Sequence, residues 1–402
     1  MIVLSLSSGT SVDAIDVAAA DLTMSDGEIR MAPLGYREVP YSAELRGLIL
    51  DALPPAGTTL ETVCRIDTGV GQEFAVAASA AAHDLTDGRA ELVVSHGQTL
   101  FHWTVDGSVR GTLQLGQPAW IAQATGLPVI SDLRVNDVAA GGHGAPLASL
   151  VDVLLLSDSR RQSLGDDEQR SAALNLGGIA NVTVVGADDD PVAFDTGPAN
   201  ALLDAAVRSL SAGRDHADHN GAIAARGQVN PHLFAMLLDH PYYRRLPPKS
   251  AGKEDFNARY LAEAIDRAGC HDITSQDLLA TLVEVTARTI AAALAPYAVG
   301  EVFASGGGTR NPTLMHRLDE NLAPARFTTT AELGLDPDAK EAYLFALMGF
   351  LSWHGLPGSI PACTGADQPT VAGRITPGAN SLRLPTPVID PPHTLRIVHH
   401  PA

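Results

Sequence analysis

Leu4–Leu22, LSLSSGTSVDAIDVAAADL, and Ala172–Val185, AALNLGGIANVTVV, read alike: an apolar strand, a glycine-bearing turn, then a second strand. Gly9 and Gly177 head the two turns, so the chain carries two copies of one strand-turn-strand unit, as the halves of a duplicated fold would. A glycine in such a turn removes the Cβ that would keep a ligand away from backbone N–H groups, and concavities of that kind favour phosphate oxygens. Two of them, one per half, would suit a single nucleotide.

Working outward, 402 residues are too many for one ordinary core, and two domains with a ligand cleft between them are the first expectation. The formal charge of −19 is spread along the chain, which disfavours a nucleic-acid partner. Cys64, Cys270 and Cys363 are isolated and lack C-x-x-C spacing, so they read as reduced thiols of a cytoplasmic protein rather than a disulfide framework or zinc site. The opening MIVLSLS has no basic leader and runs into the glycine turn, so it is expected to be a first strand and not a signal peptide. The alanine-rich stretch from Ile290 to Val299 is expected to be too short to cross a bilayer and is interrupted by Pro296.

Strand-like runs at Ile2–Ser7, Asp16–Leu22, Leu92–Ser95 and Pro128–Ser131 alternate with helical stretches at Glu73–Ala82 and Pro118–Thr125, an α/β pattern. Ser157–Ser171, SDSRRQSLGDDEQRS, has no apolar period and is expected to be a surface loop. Beyond it, Asp277–Ala298 reads as one long helix, Glu301–Ser305 as a strand, and Lys340–Trp353 as a last helix before a Pro- and Gly-rich tail. The tail is expected to return to the first domain.

Five motifs carry chemistry. GTSVDAID, Gly9–Asp16, supplies small donors for phosphate oxygens and, in Asp13 and Asp16, acids that could hold a hydrated magnesium ion; a plain polar hairpin is the alternative. FDTGPAN places Asp195 at the end of an apolar strand before a helix, where a carboxylate can take a proton and helix-start N–H groups can meet an anion; the alternative is a turn cap. In FASGGGTRNP, Gly306, Gly307 and Gly308 clear space for a flat base and ribose, whereas a structural turn would need only one glycine; Asn311 opens the helix that follows. SHGQT (with Ser95, His96 and Gln98) and the run Ser131–Pro146 (with Arg134, Asp137 and His143) bring polar groups together, and Arg134 is suited to a carboxylate unless it only pairs with Asp137. His216 and His219 have helical spacing but no third metal ligand in view.

Taken together, GTSVDAID, SHGQT, LQLGQP, SDLRVNDVAAGGHGAPL, NLGGIANVT, FDTGPAN, PPKSAGKEDF, LATLVEVTA, ASGGGTRNPTLM and DAKEAYLFAL occur in an order that resembles the anhydro-N-acetylmuramic acid kinase family, from about Leu6 to Leu347. The resemblance implies the actin-like ATPase and sugar kinase fold: α/β, two duplicated ribonuclease-H-like domains with an interdomain ATP cleft. Domain I is expected over 1–137 joined by 355–402, and domain II over 138–354. It also implies a cytoplasmic, dimeric enzyme of peptidoglycan recycling that uses ATP, magnesium and water to open a 1,6-anhydro amino sugar and phosphorylate O6. Asp195 matches the catalytic base; Gly9, Thr10, Ser11, Val12, Asp13, Ala14, Ile15 and Asp16 match the ATP phosphate loop. Gly177, Gly178, Gly306, Gly307, Gly308 and Asn311 are assigned to ATP as well, and His96, Gln98, Arg134, Asp137 and Glu341 to the sugar.

The chain departs from the family pattern at Ala14, His143, Ala199, Ala251 and Lys253. A positive φ at Ala14 or Ala199 would cost on the order of 1 kcal/mol and crowd a phosphate. Two rival readings are a nucleotide-gated sensor without catalysis on the same fold and a hydrolase built on Ser95 or His96, although G-x-S-x-G is absent.

Overall fold

The computed structural model describes residues 1–9, 11–162, 169–186, 189–252 and 255–399, so Thr10 and Lys253 lie outside the described residues. The chain divides into two compact units, Met1–Asp158 with Ala339–Ala402, and Ser159–Asp338.

The first unit is built on β1 (Ile2–Ser8), β2 (Ala14–Ser25), β3 (Glu28–Pro40), β4 (Leu92–Val105), β5 (Ser108–Leu115) and β6 (Val129–Ser131). Its helices are α1 (Ala43–Ala52), α2 (Leu60–Thr86), α3 (Pro118–Thr125), α4 (Val135–Ala139) and α5 (Ser149–Gln162). Helix α2 starts where Thr59 accepts from the Thr62 N–H and stops at Asp87 in the left-handed region. Ile66, Val70, Phe74, Ala77, Ala78 and Ala81 form its buried stripe, recurring three or four positions apart. Burying Phe74 alone stabilises the unit by about 2–3 kcal/mol.

The second unit holds β7 (Arg170–Leu176), β8 (Ile179–Val185), β9 (Val192–Pro198), β10 (Val299–Ser305) and β11 (Arg326–Thr329), with helices α6 (Asn200–Leu210), α7 (Pro231–Leu238), α8 (Ala258–Ala268), α9 (Ser275–Leu294) and α10 (Pro312–Leu322). With its short 3₁₀ continuation, Ser275–Tyr297 is long and apolar enough to cross a membrane, which corrects the length argument made for the alanine-rich stretch. Burial provides the better reason: Leu279, Leu282, Val283, Val285, Ile290 and Leu294 place this helix in the core of its unit.

The chain then re-enters the first unit through α11 (Lys340–Trp353), α12 (Pro361–Thr364), β12 (Arg374–Thr376) and β13 (Thr394–Ile397). Segments 138–158 and 339–354, expected in domain II, therefore group with the first unit. The reason is packing: the Ser5 hydroxyl donates to the Ala342 carbonyl of α11 at 2.7 Å, and Lys340 of α11 pairs with Asp152 of α5 at 2.8 Å, both side chains almost fully buried. The tail adds a strand at each end of the sheet, β12 antiparallel to β6 and β13 parallel to β3.

Strand order makes the duplication explicit. The first sheet runs β3-β2-β1-β4-β6 between its two tail strands, and the second runs β9-β8-β7-β10-β11. In both, the first three strands are antiparallel neighbours and the last two join parallel. This 3-2-1-4-5 order is the ribonuclease-H-like sheet, present twice in one α/β chain. The polar stretch read as a loop is helical through Gln162, in α5. His216 lies in a bend and His219 opens a 3₁₀ turn, so their spacing is not on a helix face.

Candidate active site

In the second unit Asp195 sits on β9, the edge strand, opposite Asn181. The segment from Tyr242 to Ala251 wraps that edge. Asp195 N–H donates to the Lys249 carbonyl at 3.1 Å, the Ala251 N–H donates to Asp195 Oδ2 at 2.8 Å, and the Tyr242 hydroxyl donates to the Asp195 carbonyl at 2.7 Å. Backbone thus does the holding at Ala251, and the departure from the family residue there leaves the contact in place. Burial raises the Asp195 carboxyl to about 6, against the lowering effects of the Ala251 N–H and the Lys249 ammonium. Lys249 itself lies over the Tyr242 ring at 4.8 Å and is pushed below the usual lysine range, first by burial and then by Arg245. Such a carboxylate is charged at neutral pH yet basic enough to receive a proton.

Around it, several expectations change. The N–H groups of Ala199, Asn200 and Ala201 at the start of α6 donate to the carbonyls of Gly177 and Gly178, each at 3.0 Å, so they are spent on the turn and not open to an anion. Ala199 has φ −116°, and Ala14 lies in regular strand, so neither carries the anticipated strain. Of the three glycines, two are required by packing: a Cβ on Gly306, at φ +88°, would meet Asn175 Oδ1 at 2.7 Å, and one on Gly308 would meet Leu176 Cβ at 2.6 Å. Only Gly307 faces open space. The Asn311 side chain caps α10 through the Leu314 N–H at 3.1 Å.

In the first unit the connection from β1, ending at Ser8, to β2, starting at Ala14, is longer than the Gly177–Gly178 turn, which closes at Leu176 opposite Ala180. A Cβ on Gly9 would meet only the Ser11 hydroxyl, at 3.8 Å. The strained residue is Val12, fully buried at φ +56°, a conformation that a β-branched side chain adopts at a cost. Arg46 of α1, which the sequence does not single out, holds this loop: its Nε donates to the Val12 carbonyl and its Nη2 pairs with Asp13, both at 2.9 Å. Ser11 in this loop is exposed, and Ile15, already in β2 opposite Ser8, is buried. Asp16 accepts from the Tyr36 hydroxyl at 2.6 Å and is raised to about 6, first by burial and then by Glu341 and Glu38. Among the described residues no three His, Cys, Asp or Glu side chains cluster as metal ligands, but the crowded Asp16 carboxylate is one that a hydrated cation would relieve.

Two of the residues expected on the sugar side, Gln98 and Asp137, are hydrogen-bonded within the fold. Gln98 is buried and donates to the Gly9 carbonyl at 3.3 Å, bracing the loop. Asp137 is also buried; its two oxygens accept from the Gly144 N–H and the Thr364 hydroxyl at 2.7 Å each, so it is not ion-paired with Arg134. His143 is exposed, and Glu341 is exposed at the start of α11. Arg134 donates from Nε to His96 Nε2 at 3.2 Å and from Nη1 to the Gly144 carbonyl at 2.6 Å, with no ion pair among the described residues. Ser95 and His96 are consecutive on β4 and point to opposite faces, and the buried Ser95 hydroxyl has no partner among the described residues, so the two do not form a nucleophile-base pair.

Comparison with known proteins identifies the family. The family model for anhydro-N-acetylmuramic acid kinase matches residues 1–378. The anhydro-N-acetylmuramic acid kinase of Streptomyces coelicolor is 53% identical over 401 residues, covering 100% of both chains. That of Rhodococcus erythropolis is 50% identical, covering 99% of both. Among solved structures, the activator of the 2-hydroxyisocaproyl-CoA dehydratase from Clostridium difficile aligns with TM-score 0.39 and 10% identity over 87% of this chain and 94% of its own. A ROK family glucokinase from Streptomyces griseus aligns with TM-score 0.32 and 15% identity over 86% and 97%. On the match across nearly its whole length and identities of 50% and 53%, the chain belongs to the anhydro-N-acetylmuramic acid kinase family, a family of kinases.

Proposed function

We propose that this kinase uses ATP to convert anhydro-N-acetylmuramic acid to N-acetylmuramic acid 6-phosphate, with Asp195 as the general base. The observation that carries the reading is the Asp195 carboxylate: one oxygen is fixed by the Ala251 N–H, and the group is raised to about 6 by burial. Asp195 takes a proton from water as the water oxygen bonds to the anomeric carbon. The C1–O6 bond breaks, O6 bonds to the γ-phosphorus, and the bond from phosphorus to the leaving ADP oxygen breaks. Gly9–Asp16 holds the triphosphate, the open face at Gly307 receives the adenosine side, and Gly177–Gly178 anchors the start of α6. Magnesium, when bound, neutralises phosphate charge, and Asp16 is the residue suited to hold its water shell. Arg134 is assigned to the substrate carboxylate, and Glu341 to the sugar. The cytoplasm, a role in cell-wall recycling and a homodimer complete the reading; light scattering in solution checks the last.

The test is phosphorus NMR of a reaction containing ATP, magnesium and the anhydro sugar. A sugar 6-phosphate is expected with the native chain. With Asp195→Asn, ATP still binds and turnover falls at least about 10³-fold. Sugar-independent ATP hydrolysis alone, or full turnover by the variant, defeats the assignment.

A further inference from the structure

His96 is 3% exposed, and its ring lies flat on Phe345 of α11, with centroids 4.3 Å apart and planes 11° from parallel. Its Nε2 accepts from Arg134 Nε, so the ring proton is on Nδ1. That buried nitrogen has no hydrogen-bond partner among the described residues. Leaving a buried donor unmet costs about 1–3 kcal/mol, and a ring used only for packing would be better replaced by a phenyl group. What the imidazole supplies, and a phenyl could not, is a neutral acceptor for a guanidinium.

The guanidinium in turn is unusual. Arg134 leans on two neutral acceptors, His96 Nε2 and the Gly144 carbonyl, and forms no ion pair with any described residue. The nearest carboxylates in sequence are engaged elsewhere: Asp132 pairs with Arg374 at 2.6 Å, and Asp137 spends both oxygens on the Gly144 N–H and the Thr364 hydroxyl. Gly144 is therefore gripped at both backbone groups, at φ +63°, where an added Cβ would meet Val138 at 2.9 Å and Arg134 itself at 3.3 Å. The other charged groups acting on Arg134 are Glu341 and Asp137, and burial outweighs both to hold it below the usual arginine range. Three N–H bonds of the fork remain for a ligand, the number and planarity that suit a carboxylate.

Resting on the functional reading above, we infer that His96 is a positioning residue: it never touches the sugar but fixes the Arg134 fork, and the pair makes the enzyme select an acidic anhydro sugar over a neutral one. A protonated ring would turn a second N–H toward Arg134, so His96 acts only in its neutral form. Exchanging the imidazole for a phenyl keeps the stack on Phe345 and removes the acceptor.

The experiment measures turnover and calorimetric affinity for anhydro-N-acetylmuramic acid and for 1,6-anhydro-N-acetylglucosamine, which lacks the carboxylate. It compares the native chain, Arg134→Met, His96→Phe and His96→Gln. The native chain is expected to prefer the acidic sugar by at least about 10-fold, because a site built for a polar group rejects an analogue without it. Arg134→Met and His96→Phe both bring the preference to near unity through KM, with the KM for ATP unchanged, while His96→Gln, which can accept at the Nε2 position, recovers part of it. A preference retained in His96→Phe, or an equal loss for both sugars, overturns the inference. If the native chain phosphorylates neither sugar, the functional reading fails, yet the binding preferences still decide the role of His96; binding of neither sugar overturns both.

Discussion

At Asp195 catalysis and stability are opposed. A carboxyl raised to about 6 from an unfolded value near 3.9 means that above pH 6 the folded chain holds a charge it would rather shed. The folded state binds the extra proton between those two values, so this residue's penalty is fully present at neutral pH and disappears as pH falls through 6 toward 4. Asp195→Asn is therefore expected to raise the unfolding free energy at pH 7.5 by about 1–2 kcal/mol, discounted for partial exposure, and to give no gain at pH 4; denaturant titrations at both pH values decide it. In the native chain kcat/KM is expected to fall as pH drops through about 6, where the base takes up its proton. The glycine triplet separates two roles in the same way. Gly308→Ala would force a Cβ to within 2.6 Å of Leu176 and is expected to cost about 1–3 kcal/mol of stability. Gly307→Ala meets nothing and should leave stability within about 0.5 kcal/mol, raising the KM for ATP if the nucleotide lies against it. Three adjacent glycines in a sequence look equivalent; what distinguishes them is the neighbouring strand, which no local pattern reveals. Asp137 was misleading for the same reason, since only the fold places Gly144 and Thr364 against its two oxygens.

At the level of elements, patterns of period two or 3.6 were readable wherever one face meets a core. Lys340–Trp353 is a helix with the expected bounds, and Pro118–Thr125 likewise, with Pro118 at its first turn and Gly126 past its end. What escaped were elements defined by partners distant in the chain. Thr394–Ile397 has few strand signals of its own and becomes β13 because β3 offers an open edge; Arg374–Thr376 does the same on β6. Helix α11 was visible, but its placement was not, because it is buried nearly all round and so lacks a polar stripe to say which side faces out. Its one buried charge, Lys340, fixes it to Asp152 of α5. Asp152→Ala leaves that ammonium unpaired in the interior and is expected to cost about 3–5 kcal/mol, whereas Asp152→Leu with Lys340→Met should restore most of it. Thermal unfolding of the single and double variants measures the difference, and an Asp152→Ala chain as stable as the native one would show that the pair does not anchor α11.

For the whole molecule, duplication in sequence and duplication in space differ in one respect that governs folding. The second unit is a continuous segment, Ser159–Asp338, with all five strands of its sheet, its central helix α9 and its own core. The first unit is discontinuous: Met1–Asp158 supplies the sheet's inner strands, but α11, β12 and β13 come from Ala339 onward. Removing that return uncovers one face of β1, where Ser5 bonds to Ala342, and opens both edges of the sheet. A fragment spanning 159–338 is accordingly expected to fold alone, with a cooperative urea transition and amide protons in β7 and β10 protected from exchange. A fragment spanning 1–158 should expose apolar surface and aggregate, and adding 339–402 as a separate chain should restore solubility and exchange protection in β1 and β4. The asymmetry follows from connectivity, since both sheets share one strand order. A soluble, protected 1–158 fragment would mean that the returning segment decorates a domain already complete, and a molten 159–338 fragment would mean that its core does not suffice without the rest of the chain.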